Sequence, residues 1–106
     1  MTAVATWPSY LLRGVPQQTR LHMSDRALRD DVSLADVVRQ ALCNHYDLDC
    51  DPASYRYQPD LDTGNNVLLI RFQPDVWKLM RKETRARYGE FRRLILQSLD
   101  DYLEAP

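Results

Sequence analysis

Glycine is scarce in this chain, with three in 106 residues. That is too few for a turn-rich β-sandwich and suits helices better. Long apolar runs are missing: none approaches the ~20 residues of a membrane span. Residues 1–12 lack a basic region followed by an apolar stretch, so no secretory signal is expected. Cysteine occurs twice, as Cys43 and Cys50. Two do not make a disulfide framework, so they are expected as thiols, buried or on the surface. A reducing, cytoplasmic location follows as the default. Cys43, His45 and Cys50, even with His22 added, do not follow a familiar zinc-ligand spacing. No calcium loop of the EF-hand type is present. No nucleophile–base–orienter set stands out, so no enzyme and no cofactor or metal is expected.

What is present is apolar content for a core, 44% of residues, and a net charge of −1 that argues against simple coating of nucleic acid. The charge is unevenly placed. Residues 47–62 hold five aspartates against Arg56, a local balance of −4. Residues 71–93 hold eight Lys and Arg against Asp75, Glu83 and Glu90, a balance of +5. Such a split builds a basic face on a near-neutral protein, although a solvated helix face is the plain explanation.

Residues 1–16 read as a leader containing Trp7, Pro8 and Tyr10. Residues 17–23 alternate: Thr19, Leu21 and Met23 face one way, and Gln18, Arg20 and His22 the other. A short half-buried strand is predicted there. Ser24 is an N-cap candidate for a short helix to about Asp31, and Ser33 for a second, amphipathic helix carrying Leu34, Val37, Val38, Ala41, Leu42 and His45. Residues 47–64 form an acidic linker with Pro52, Pro59 and Gly64. A strand is predicted over 66–72, with Leu68, Ile70 and Phe72 on one face and Val67, Leu69 and Arg71 on the other. Pro74 then opens a helix carrying Val76, Trp77, Met80 and Thr84, which is expected to stop near Gly89. The last helix carries Phe91, Leu94, Ile95, Ser98, Leu99 and Tyr102 on one face.

The order repeats. Leu21 to Asp25 matches Ile70 to Pro74 at an offset of 49, and Leu34 to Leu42 matches Phe91 to Leu99 at 57. The difference implies an insertion of about two helical turns in the second unit. Each unit, 17–46 and 65–106, reads strand–helix–helix. Two copies pair their strands antiparallel and pack four helices behind them, which neither copy can do alone.

This pattern resembles the Arc/MetJ-like ribbon-helix-helix superfamily, and tandem fusions of that fold occur among plasmid and phage DNA-binding proteins. The resemblance rests on a short strand with outward basic residues, Arg20 and His22 and then Arg71. A polar or Pro helix start directly follows each strand, and the second helix opens with an apolar pair. It implies a mainly α fold with a two-stranded antiparallel β-ribbon, two units in one chain forming a pseudo-dimer. It also implies a double-stranded DNA partner, a regulatory role, and a second copy of the chain on an adjacent half-site. Outward strand residues would read bases in the major groove: Gln18, Arg20, His22, Val67, Leu69 and Arg71. The starts of the second helices would hold phosphates, at Ser33 and at Gly89, with Arg87, Arg92 and Arg93 adding contacts. Asp36 and Glu90 stand near those positions and would repel an anion. The other class of reading is a protein-interaction module, antitoxin-like or inhibitory, which the near-zero net charge and apolar Val67 and Leu69 favour.

Overall fold

A computed structural model describes residues 7–50, 61–62 and 67–104. It is mainly helical, with four helices on one antiparallel sheet. The order is β1 (Ser9–Arg13), α1 (Gln17–Asp30), α2 (Leu34–His45), β2 (Leu61–Asp62), β3 (Val67–Arg71), α3 (Pro74–Thr84) and α4 (Tyr88–Glu104).

The predicted strand over 17–23 is a correction: those residues begin α1. Thr19, Met23 and Ala27 are its buried positions. Their i, i+4, i+8 spacing is helical, and Leu21, needed for the alternation, is 54% exposed. Ser24 therefore lies inside a helix rather than capping one. The strand that pairs with β3 comes instead from the leader. Tyr10 and Leu12 face the core from β1, and Ser9, Leu11 and Arg13 face out.

The strand predicted over 66–72 is found as β3, with Leu68 and Ile70 buried. Its register with β1 is Ser9↔Arg71, Tyr10↔Ile70, Leu11↔Leu69, Leu12↔Leu68 and Arg13↔Val67. The Phe72 amide donates to the Pro8 carbonyl just beyond the ladder. The sheet is not limited to two strands: β2 pairs with the other edge of β3 through Leu61↔Leu69 and Asp62↔Leu68. The predicted linker otherwise lies largely outside the described residues.

Ser33 caps α2 as expected. Its hydroxyl accepts from the Asp36 amide, and the Asp36 carboxylate accepts from the Ser33 amide. Pro74 opens α3, but α3 ends at Thr84, where Arg85 takes a left-handed conformation. Gly89, expected beyond that helix end, lies in the first turn of α4.

The core joins both halves of the chain. α2 packs most extensively on α4, and Val37, Val38, Leu42, Phe91, Ile95 and Leu99 are all nearly or fully buried. Trp77, half-buried on α3, stands edge-on to Phe91 with ring centroids 5.1 Å apart. Buried positions recur at an offset of 57: Val15 with Phe72, Thr19 with Val76, Met23 with Met80, Ala27 with Thr84, Val37 with Leu94, and Leu42 with Leu99. The strands recur at 58, Leu12 with Ile70. The extra residue is Gly14, whose φ of +64° favours glycine. The eight-residue insertion inferred from the misplaced first strand is not needed.

Cys43 and Cys50 are joined in a disulfide seven residues apart, which corrects their reading as thiols. The bond ties the end of α2 to the chain entering the linker, and the inference of a reducing compartment loses its premise. No helix among the described residues is long and apolar enough to cross a membrane.

Candidate nucleic-acid interface

The side of the ribbon away from the helices is built by alternation. A strand turns every second side chain outward, so β1 presents Ser9, Leu11 and Arg13, and β3 presents Val67, Leu69 and Arg71. Leu11 lies opposite Leu69 at the centre of the ladder. Arg13 ends β1 and Arg71 ends β3, so antiparallel pairing puts the two arginines at diagonally opposite corners. Arg13 is paired with Val67, and Arg71 with Ser9. Arg13 and Leu11 are exposed, and the three β3 residues are half-buried. The Arg71 guanidinium reaches the Trp7 carbonyl at 3.4 Å.

Thus three of the six expected base-reading residues, Val67, Leu69 and Arg71, stand where expected. Gln18, Arg20 and His22 do not: they lie on α1, off the ribbon. Gln18 and His22 sit one turn apart with their nitrogens 3.2 Å from each other. His22 opens into a small surface cavity with Asp25, Arg26, Arg29 and Leu103. The outward positions of the strand that pairs with β3 are instead Ser9, Leu11 and Arg13. Their signal was present, because Leu11-Leu12-Arg13 matches Leu69-Ile70-Arg71 at an offset of 58.

The expected phosphate residues divide as well. Ser33 is engaged by the capping box, and Asp36 of that box is also ion-paired to Arg39 at 2.6 Å. The first turn of α2 therefore already contains a carboxylate. Arg87 and Arg93 are exposed around a cavity of about 410 Å³ shared with Arg85, Glu83, Glu90 and Gln97. Arg93 stands 3.7 Å from Glu90. Gly89 has nothing within 4 Å of where a Cβ would stand, so no packing requires glycine there. Arg92 points elsewhere. Its Nε donates to the Arg13 carbonyl at 2.8 Å and its Nη2 to the Gly14 carbonyl at 2.6 Å.

Arg39 escaped the sequence reading. Its side chain is fully buried on α2, and Nη1 donates to the Arg71 carbonyl at 2.8 Å. An arginine inside an apolar helical stripe gives no sign of its carbonyl partner until β3 is placed.

Tyrosine chemistry at the edges is shaped by burial. Burial raises Tyr10, an effect partly offset by the Arg92 charge. Burial also pushes the Tyr46 hydroxyl well above its ordinary value, with the Glu83 carboxylate beside it adding to the effect. Glu83 lies 3.0 Å from His45 Nε2. No group of three or more His, Cys, Asp or Glu side chains that could hold a metal occurs among the described residues.

No protein-family model, curated protein or solved structure matches this chain.

Proposed function

We propose that the chain binds double-stranded DNA as a tandem ribbon-helix-helix protein and inserts the β1–β3 ribbon into the major groove, as a regulator of bacterial or phage type. One observation carries this reading. Each strand ends in an outward arginine, the two strands pair antiparallel about Leu11↔Leu69, and the buried positions behind them recur at a constant offset. That recurrence supports a reading as two strand–helix–helix units sharing a core. The residue set moves accordingly, to Ser9, Leu11, Arg13, Val67, Leu69 and Arg71.

The chemistry suits the groove. Arginine donates two hydrogen bonds to guanine O6 and N7, and leucine and valine meet a thymine methyl. Ser9 and Arg13 are four residues apart, about 14 Å along the strand. The two arginine corners then span about four base pairs. Arg85, Arg87 and Arg93, around the cavity at the α3–α4 turn, are the cations available for phosphate contacts there.

The test is selection of duplexes from a randomised pool by the full chain, followed by titration over a range of salt. Affinity should fall steeply with salt, and Arg13→Ala with Arg71→Ala should cost selectivity for the recovered sequence. Retention of that selectivity in the double variant would remove the ribbon as the reader. A protein partner is the second reading, favoured by the 40% exposure of Leu11 beside half-buried Leu69. Salt-insensitive binding to a protein, with no duplex recovered, would select it.

A further inference from the structure

We infer that Arg92 and Arg39 are positioning residues for the two outward arginines, each holding the main chain at an arginine on the strand from the other half of the molecule. The inference rests on the DNA-reading role proposed above. Arg92, on α4 of the second half, holds the carbonyls of Arg13 and Gly14 with two prongs, at 2.8 and 2.6 Å. Arg39, on α2 of the first half, holds the carbonyl of Arg71 at 2.8 Å while Asp36 holds Arg39 at 2.6 Å.

Both contacts reach the carbonyl of a strand's last residue, Arg13 together with Gly14 beyond it, and Arg71, whose following amide also bonds Pro8. A terminal peptide held by few ladder bonds can pivot, and the side chain on the same residue swings with it. Anchoring the carbonyl at that residue restricts this pivot and with it the direction in which the arginine leaves the strand; at Arg71 the Trp7 carbonyl also holds the guanidinium. Misplacement of a reading group by about 1 Å is enough to lose a two-pronged base contact.

The two anchors are not copies of each other. At the offset of 57, Arg39 corresponds to Leu96, and Arg92 to Ala35. The same contact is thus reached from different helix positions, so duplication of the unit does not by itself explain it. Arg92 was expected to hold a phosphate, but two of its donors are turned inward to carbonyls. Gly14 stands beside the fork, its φ of +64° the conformation that favours glycine.

Arg92→Lys separates the two roles. Lysine keeps the charge and can rescue a phosphate contact, but it lacks the planar fork that spans two carbonyls. The probes are a duplex recovered from the randomised pool by the unchanged chain and a scrambled duplex of the same composition. Arg92→Lys should lower the ratio of the two affinities about tenfold, with the salt slope unchanged. Arg39→Lys should do the same from the other corner, with helical content checked by circular dichroism. Because Arg92 is exposed, its variant decides the matter if Arg39→Lys fails to fold. An Arg92→Lys ratio equal to that of the unchanged chain, or an equal loss on both duplexes, overturns the positioning role. If Arg13→Ala still costs selectivity in that case, the DNA reading stands without it. If the unchanged chain does not distinguish the duplexes, the DNA reading itself fails, and the positioning role with it.

Discussion

Asp36 and Arg39, one helical turn apart on α2, form an ion pair at 2.6 Å in which the arginine side chain is fully buried and the aspartate is 19% exposed. Asp36 also completes the capping box with Ser33. Removing the carboxylate leaves a buried cation without its counter-charge, a loss of the order of 3–5 kcal/mol. Removing only the cap hydroxyl costs about 1 kcal/mol. Urea denaturation should therefore rank Asp36→Ala far below Ser33→Ala. Equal losses would mean that Arg39 is compensated by solvent or by other groups.

Reduction of the Cys43–Cys50 bond should lower stability by about 2 kcal/mol, the loop-closure value for so short a loop. Thermal melts with and without reductant, and of Cys50→Ser, should agree on the size of the change. Cys50 is the better site because Cys43 is buried in the core, where serine would add a packing loss of its own.

The α3–α4 turn holds two consecutive non-glycine residues in the left-handed region, Arg85 at φ 55° and Ala86 at φ 60°. Ala86 is exposed, so its methyl group contributes little packing. Ala86→Gly should raise stability by about 0.5–1 kcal/mol by relieving this strain. Gly89→Ala should also stabilise, by about 0.5–1 kcal/mol, because it removes a glycine from a helix where a Cβ meets nothing. Chemical denaturation reads both. A duplex affinity unchanged in Gly89→Ala would show that no phosphate needs the bare backbone there.

At high pH the fold should weaken through Tyr46. Its hydroxyl is raised by burial and by Glu83, so the unfolded chain ionises first, near the ordinary value of about 10. Stability is then retained below that pH and falls as pH rises above it. In Tyr46→Phe the decline above that value should be shallower. Phenolate absorbance should show a late-ionising phase that Tyr46→Phe removes. A decline identical in both proteins would assign it to other groups.

Most of the helical core could be read from periodicity. Val37, Val38, Ala41 and Leu42, and the matching stripe on α4, face inward as their spacing requires. β3 was legible because its apolar run is β-rich and ends at Gln73-Pro74, a clear helix start. The first strand was misplaced for a definite reason. Thr19 and Met23 satisfy both a two-residue and a four-residue period, and only Ala27 and the exposure of Leu21 separate them. The true strand lay hidden in an apparent leader because Gly14 shifts its match to β3 by one residue. The carbonyl partners of Arg39 and Arg92 could not be assigned, since no side-chain pattern reveals a main-chain acceptor, whereas the Asp36–Arg39 pair has the helical spacing that could have been read. The disulfide was equally silent, because two cysteines seven residues apart reveal nothing of their geometry until α2 ends.

The corners of the ribbon are unlike each other. Arg71 faces Ser9, whereas Arg13 faces Val67. An assembly of identical subunits must repeat its contacts on both arms of a palindrome. A single polypeptide carrying both strands is released from that requirement; in the DNA-reading role proposed above, a serine on one arm and a valine on the other would favour an asymmetric operator bound in one fixed orientation.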